Sequence, residues 1–218
     1  MKTMAEYINE VIHRYPELAP CRTSMELAVE LILKSHASGG KILLVGNGGS
    51  CADCEHIAGE LLKGFLLKRK PQGEDLDKLS PALGREDAEL LQRGISAIPL
   101  PSISGALSAF ANDVEPSLVF AQLVYAIGRA GDALLCLSTS GNSLNVVKAA
   151  ECAKALGIKT IALTGRDGGK LVEICDVAII APEYDTYKIQ ELHLPIYHAL
   201  CADVEEILFG EEGLNEFG

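Results

Sequence analysis

Three aliphatic runs, KILLV at 41–45, DALLCLS at 132–138 and KTIALT at 159–164, lack the polar alternation of a strand with one wet face, and each leads into a helical pattern. A strand that is apolar on both sides has to be covered on both sides, the condition met by a parallel sheet between helices. ISAIPL at 95–100 supplies a fourth strand and VAIIAP at 177–182 a fifth, each with a proline near its end that favours strand exit. Helical patterns fill the intervals at roughly 22–37, 50–67, 103–111, 116–129, 143–156 and 186–209. This order predicts an α/β fold: a doubly wound, mainly parallel sheet of five strands in a flavodoxin-like three-layer sandwich.

At 218 residues and 48% hydrophobic composition, the chain can bury one substantial core. We expect a single domain over 1–218, with an N-terminal helical extension (1–38) and a surface insertion (68–94). The insertion, KRKPQGEDLDKLSPALGREDAELLQRG, has mixed charges, two prolines and no strand pattern, and reads as helical only around Glu86 to Gln92. The amphipathic opening, MAEYINEVIHRYPELA, exceeds what a small sheet needs. It is expected first to pack against another subunit, and otherwise to cap the core.

A formal charge of −11 repels nucleic acid and anionic lipid, so a phosphate ligand needs a dedicated pocket. The N-terminus lacks the order of a secretory signal, and no apolar run reaches the roughly 20 residues of a membrane span. A cytoplasmic protein without nucleic-acid or membrane partners is expected. Seven scattered cysteines, an odd number, suit a reducing compartment and no disulfides.

Two strands end in turns that could hold an anion, VGNGGS at 45–50 and LSTSGNS at 137–143. Glycine lets backbone N–H groups approach a ligand, and the helix that follows adds the positive end of its dipole. In the first turn Gly46, Gly48 and Gly49 do not fit a dinucleotide fingerprint, and there is no Walker lysine. In the second, Ser138, Thr139, Ser140 and Ser143 place four hydroxyls around one glycine at a helix start, enough to bind a phosphate monoester without a cation. Capping of the helix by Asn142 or Ser143 is the plainer alternative, and both readings can hold together.

His56 and Glu60 lie four residues apart in one helix and share a face. Downstream, YKIQELHLPIYHALCADVEEIL carries Gln190, His193 and His198. A lone helical histidine is more often a core or surface residue than a ligand, and spacing does not separate these cases. Cys51 and Cys54 form a C-x-x-C pair with no second pair nearby, which favours buried thiols over a metal site. Asn112 and Asp113 in SAFANDVE read as a helix-ending turn.

The stretch LSTSGNSLNVVKAAECAKALGIKTIALTGRDGGK resembles the phosphate-binding strand-loop-helix of the sugar isomerase (SIS) domain family, and with VGNGGS it is similar to the phosphoheptose isomerase branch. The resemblance runs from about 40 to 209, excluding 68–94. It implies that Ser138, Thr139, Ser140 and Ser143 hold a sugar phosphate, and that Asn47, Gly48, Gly49 and Ser50 face the sugar. Asn112 and Asp113 would contact substrate. His56, Glu60, Gln190 and His198 would form a Zn2+ site that is also the catalytic centre, with Glu60 as base and His198 as acid. Family members form homotetramers with shared active sites. Gln190 and His198 are eight residues apart, a rise of about 12 Å; either Pro195 distorts the helix or a subunit interface completes the site. The activity implied is isomerisation of sedoheptulose 7-phosphate to D-glycero-D-manno-heptose 7-phosphate through an enediol.

Two departures leave the sugar open. Cys51-Ala-Asp-Cys54-Glu-His56 replaces a histidine-containing helix start, and Tyr187 stands where the branch has an aspartate. The alternative is a non-catalytic SIS protein, of the replication-initiator-associating type or a sugar-phosphate sensor. The initiator-associating branch lacks the histidine found here as His198, so its presence with His56 and Glu60 favours catalysis.

Overall fold

The structure, a computed structural model, describes residues 5–210. Five strands, β1 (Ile42–Val45), β2 (Ala97–Pro99), β3 (Ala133–Leu137), β4 (Lys159–Gly165) and β5 (Val177–Ala181), form one sheet in the order β2-β1-β3-β4-β5. All four pairings are parallel. Leu43 sits between Ile98 and Leu134, and Leu163 is in register with Leu137 and Ile179. Every residue of β1 and β3 is buried, which is why these runs carry no polar alternation.

The helices are α1 (Glu6–Arg14), α2 (Arg22–Ala37), α3 (Gly49–Leu62), α4 (Gly73–Leu83), α5 (Arg85–Leu90), α6 (Ser104–Asp113), α7 (Val119–Ile127), α8 (Leu144–Ala155), α9 (Gly169–Ile174) and α10 (Thr186–Phe209). The chain steps outward from β1 to β2, then back past β1 to β3 and on to β5. Right-handed crossovers therefore put α3 on one face of the sheet and α7, α8 and α9 on the other. The two cores follow this division. Ile8, Met25, Ile57 and Ile196 of α1, α2, α3 and α10 pack on Leu44, Leu135 and Leu163. Val124, Val146, Ala150 and Leu171 of α7, α8 and α9 pack on Leu43, Leu134 and Cys136.

The direction of winding reverses between β1 and β3, so the loops leaving these neighbouring strands turn to opposite faces. A crevice opens between them at the carboxyl edge, the place where open α/β sheets bind ligands. Both glycine-bearing turns lie there.

Four expectations change. The helix expected over 50–67 ends at Leu62, because the Glu205 carboxylate accepts the N–H groups of Phe65, Leu66 and Leu67 and holds them as a loop. The insertion carries a second helix, α4, with Pro81 inside it; α4 packs on α5 and buries none of its residues. The strand expected over 95–100 shortens to Ala97–Pro99. Finally, the core-capping role expected second for α1 is the one seen: it packs on α10 of its own chain, burying Ile8 and Val11. Ala5 gives α1 no side-chain cap, and Asp203 of α10 supplies one remotely by accepting the N–H groups of Tyr7 (3.0 Å) and Ile8 (3.1 Å). Residues 1–4 of the expected extension lie outside the described residues. All seven cysteines are free. Among the described residues, no helix is long and apolar enough to cross a membrane.

Candidate active site

The serine loop joins β3 to α8. Its turn needs Gly141, whose φ of +63° is left-handed and whose added Cβ would meet the Gly168 carbonyl. The carbonyls of this loop are consumed inside the fold. Ser138 accepts from Gly141 (2.9 Å), Thr139 from Gly165 (3.1 Å), Ser140 from the Asn142 amide (2.8 Å) and Gly141 from Leu171 (3.1 Å). With its acceptors turned inward, the loop offers hydroxyls and N–H groups to the crevice. Ser143 occupies the N-cap position of α8, yet its hydroxyl makes no capping bond and lies 3.0 Å from that of Ser138. Capping by the Ser143 side chain is therefore not what this serine does.

The first turn joins β1 to α3. Gly48, at the N-cap, has φ +54°, and Gly49 lies beneath the Gln190 side chain. Ser50 is buried in the first turn of α3. Asn47 is exposed and exchanges two amide hydrogen bonds with Asn145 of α8, each 2.9 Å long. The pair ties the two ligand loops across the crevice.

On α3, His56 Nε2 is 3.2 Å from Glu60 Oε1, and His198 Nε2 of α10 is 3.4 Å from His56 Nε2. Lys63 Nζ lies 3.2 Å from the other carboxylate oxygen, Oε2. On its far side, His56 Nδ1 is 2.9 Å from the Tyr197 hydroxyl, which donates to Asp53 Oδ1 at 3.3 Å. Burial lowers the His198 pKa, repulsion from His56 when that ring is protonated lowers it further, and the Glu60 carboxylate opposes both. Burial raises the pKa of Asp53 and of Tyr197.

The fold brings three of the four expected ligands together. Ligand atoms of His56, Glu60 and His198 all lie within 4.8 Å of one another. Bond lengths near 2.0–2.2 Å at tetrahedral angles put the edges of a zinc site at about 3.4 Å, and the observed edges of 3.2 and 3.4 Å fit. Two imidazoles and one carboxylate are also the donor types that leave a coordination position open. Gln190 is elsewhere, over Gly49, and Gly49 is seven residues from His56, about 10 Å along α3. The helix α10 runs on without interruption through Pro195, so no break brings Gln190 closer.

Asn112 and Asp113 end α6, exposed, with the Asn112 amide donating to Asp113 at 2.8 Å. Cys54 is buried, Cys51 is partly so, and neither belongs to the ligand group among the described residues. Tyr187 is exposed. His193 is wholly buried, with Nε2 3.1 Å from the Thr164 carbonyl, and burial lowers its pKa to about 4. Sequence reasoning missed Tyr197, Asp53, Lys63 and Asn145. Lys63 was within reach as the cation three residues after Glu60, while the others carry no local signal.

A doubly wound parallel sheet, a hydroxyl-rich loop at its switch point and a histidine-carboxylate group beside it define a sugar isomerase domain, and the chain belongs to the SIS domain family, which matches residues 6–76 and 94–165 and leaves out most of the helical insertion. Within that family it is similar to phosphoheptose isomerases. The phosphoheptose isomerase of Helicobacter pylori (strain P12) is 42% identical over 181 residues, 83% of this chain and 82% of the relative. That of Crocosphaera subtropica is 39% identical over 195 residues, covering 89% and 87%. Among solved structures, the phosphoheptose isomerase of Neisseria gonorrhoeae superposes with a TM-score of 0.73 at 34% identity, over 93% of this chain and 96% of that one. The enzyme from Francisella tularensis gives 0.71 at 29% identity, over 92% and 95%.

Proposed function

We propose that this chain is a phosphosugar ketose/aldose isomerase that converts sedoheptulose 7-phosphate to D-glycero-D-manno-heptose 7-phosphate. The observation that carries the reading is the Glu60 carboxylate, 14% exposed and 3.2 Å from His56, with His198 at 3.4 Å from the same imidazole nitrogen. The serine loop holds the phosphate with the hydroxyls of Ser138, Thr139, Ser140 and Ser143 and the N–H groups at the start of α8. Asn47, Gly48, Gly49, Ser50 and Gln190 face the carbon chain, and Asn112 and Asp113 reach it from α6.

Glu60 takes a proton from C1 of the ketose, the C1–C2 bond becomes the double bond of an enediol, and the same carboxylate returns the proton to C2. His198 carries the second proton between the two oxygens. Its lowered pKa keeps the imidazole neutral near pH 7, able to donate and accept. In the alternative way of working, His56, Glu60 and His198 would hold Zn2+, which would supply polarisation of the carbonyl and of the enediol oxygens in place of proton transfer by His198. Gln190, about two helical turns away from His198, reaches such a site only from another subunit, which supports a homotetramer with shared active sites. Seven free thiols support a cytoplasmic location.

Glu60→Gln tests the assignment. Turnover of sedoheptulose 7-phosphate is expected to fall by about 10²–10⁴, while thermal stabilisation by inorganic phosphate persists. Turnover at the wild-type rate would remove Glu60 as the base.

A further inference from the structure

Asn145 lies outside the residues assigned to substrate above, yet it makes more polar contacts at the crevice than Asn47 does. It is the second residue of α8, and its side chain spans from that helix to the first turn. An amide oxygen and nitrogen look alike in outline, so which end points where must come from the partners. Here the partners decide. The backbone N–H of Val146 can only donate, and the Asn145 atom 3.0 Å from it is therefore the carbonyl oxygen. That oxygen also receives an N–H from Asn47 at 2.9 Å, which makes the facing Asn47 atom the nitrogen. The return bond, also 2.9 Å, then runs from Asn145 Nδ2 to Asn47 Oδ1. A single backbone N–H thus fixes the orientation of both amides.

The consequence lies on Asn47. An asparagine amide has two N–H donors and two lone pairs. The pairing uses one of each, and one donor and one acceptor remain at fixed positions on an exposed side chain in the crevice. A sugar hydroxyl, which donates once and accepts, matches that arrangement. Without Asn145, the Asn47 amide could rotate and present either edge. We propose that Asn145 is a positioning residue that locks Asn47 in the one orientation able to bind a substrate hydroxyl. This rests on the isomerase reading only for the identity of the sugar.

The test combines kinetics with a readout that needs no turnover. Asn145→Ala is expected to lower kcat/KM by about tenfold, the size of one to two lost hydrogen bonds, with inhibition by inorganic phosphate unchanged within twofold. In a double-mutant cycle, adding Asn145→Ala to Asn47→Ala should lower kcat/KM by less than twofold, since Asn145 acts through Asn47. Independent additive losses, or an Asn145→Ala variant with wild-type kcat/KM, would overturn the proposal. A purely structural role would lower the melting temperature and leave kcat/KM per folded molecule intact, which also overturns it. In 15N-labelled wild-type protein, the hydrogen-bonded Asn47 Hδ2 proton should be shifted from the free-amide position and protected from solvent exchange, and both effects should vanish in Asn145→Ala. If the wild type fails to isomerise the heptose phosphate while the signals behave as described, the function is wrong and the pairing stands. An Asn47 NH2 at free-amide shifts with no exchange protection in the wild type sinks the pairing itself.

Discussion

Acidification should destabilise this protein through His193, and the size of the effect follows from its surroundings. The ring is wholly buried; burial lowers its pKa to about 4, and the bond to the Thr164 carbonyl raises it by less. In the unfolded chain the same group titrates near 6.5. Between those values the unfolded state binds a proton that the folded state refuses, so the contribution is complete above about pH 6.5 and is lost as pH falls toward 4. At pH 5 the two proton-binding terms differ by a factor of about 30, or about 2 kcal/mol. For a chain of this size that is a fall of about 4–8 °C in melting temperature relative to pH 7.5. His36 and His198, whose pKa values are also lowered, add to the slope in the same direction. The measurement is therefore a difference: urea midpoints for wild type and His193→Gln at both pH values and one protein concentration. Glutamine still donates to Thr164 and does not titrate, so the variant should lose about 2 kcal/mol less on acidification. Equal losses in both proteins would show that His193 is not protonated on unfolding in this range, and the burial argument would fail.

Metal removal separates the two ways the His56, Glu60 and His198 group can work. Protein purified without chelator should contain one zinc per chain, and dialysis against a chelator should lower both turnover and melting temperature until zinc is restored; chelator-resistant turnover with no metal bound would leave only acid-base chemistry at the site. Arg69→Met should destabilise by about 3–5 kcal/mol, because Glu205 stays buried and loses its ion-pair partner. Adding Glu205→Leu should not recover that loss in urea denaturation, since the Glu205 carboxylate also accepts the N–H groups of Phe65, Leu66 and Leu67; recovery would mean that those N–H groups find water instead.

The sheet was legible because parallel strands covered on both faces have to be apolar throughout; KILLV and DALLCLS obey that without exception inside β1 and β3, and β4, which holds KTIALT, is buried after its first residue. Less legible was where elements stop when the stop is tertiary. Nothing in LLKGFLLK announces an end at Leu62; the end is imposed by a carboxylate 140 residues later that takes the N–H of Phe65. The N-terminal helix shows the same thing in reverse. Its amphipathic pattern was plain, but its partner was not, because the Asp203 cap that docks it on α10 lies 195 residues from Ile8. The α4 helix was missed because Pro81 reads as a breaker, although in its last turn an exposed helix loses little by omitting one N–H.

For the site, the division falls between what one helix can display and what two helices must share. His56 and Glu60 declare themselves through their four-residue spacing; His198 does not, since its meaning depends on which residue of α3 it faces. The fold answers that through a constant register. Gly49 lies under Gln190, and the contacts of Asp53 and His56 with Tyr197 and of His56 with His198 span 141 to 144 residues, so α3 and α10 run side by side in the same direction. Parallel alignment makes the separation of Gln190 from His198 on one helix match that of Gly49 from His56 on the other to within one residue, and a single ion cannot take both ends. The alignment survives Pro195 because the carbonyl that loses its bond belongs to Glu191, which is exposed and can turn to water. Had that turn faced the core, a kink would have been the cheaper outcome, and the glutamine and histidine could have met within one chain.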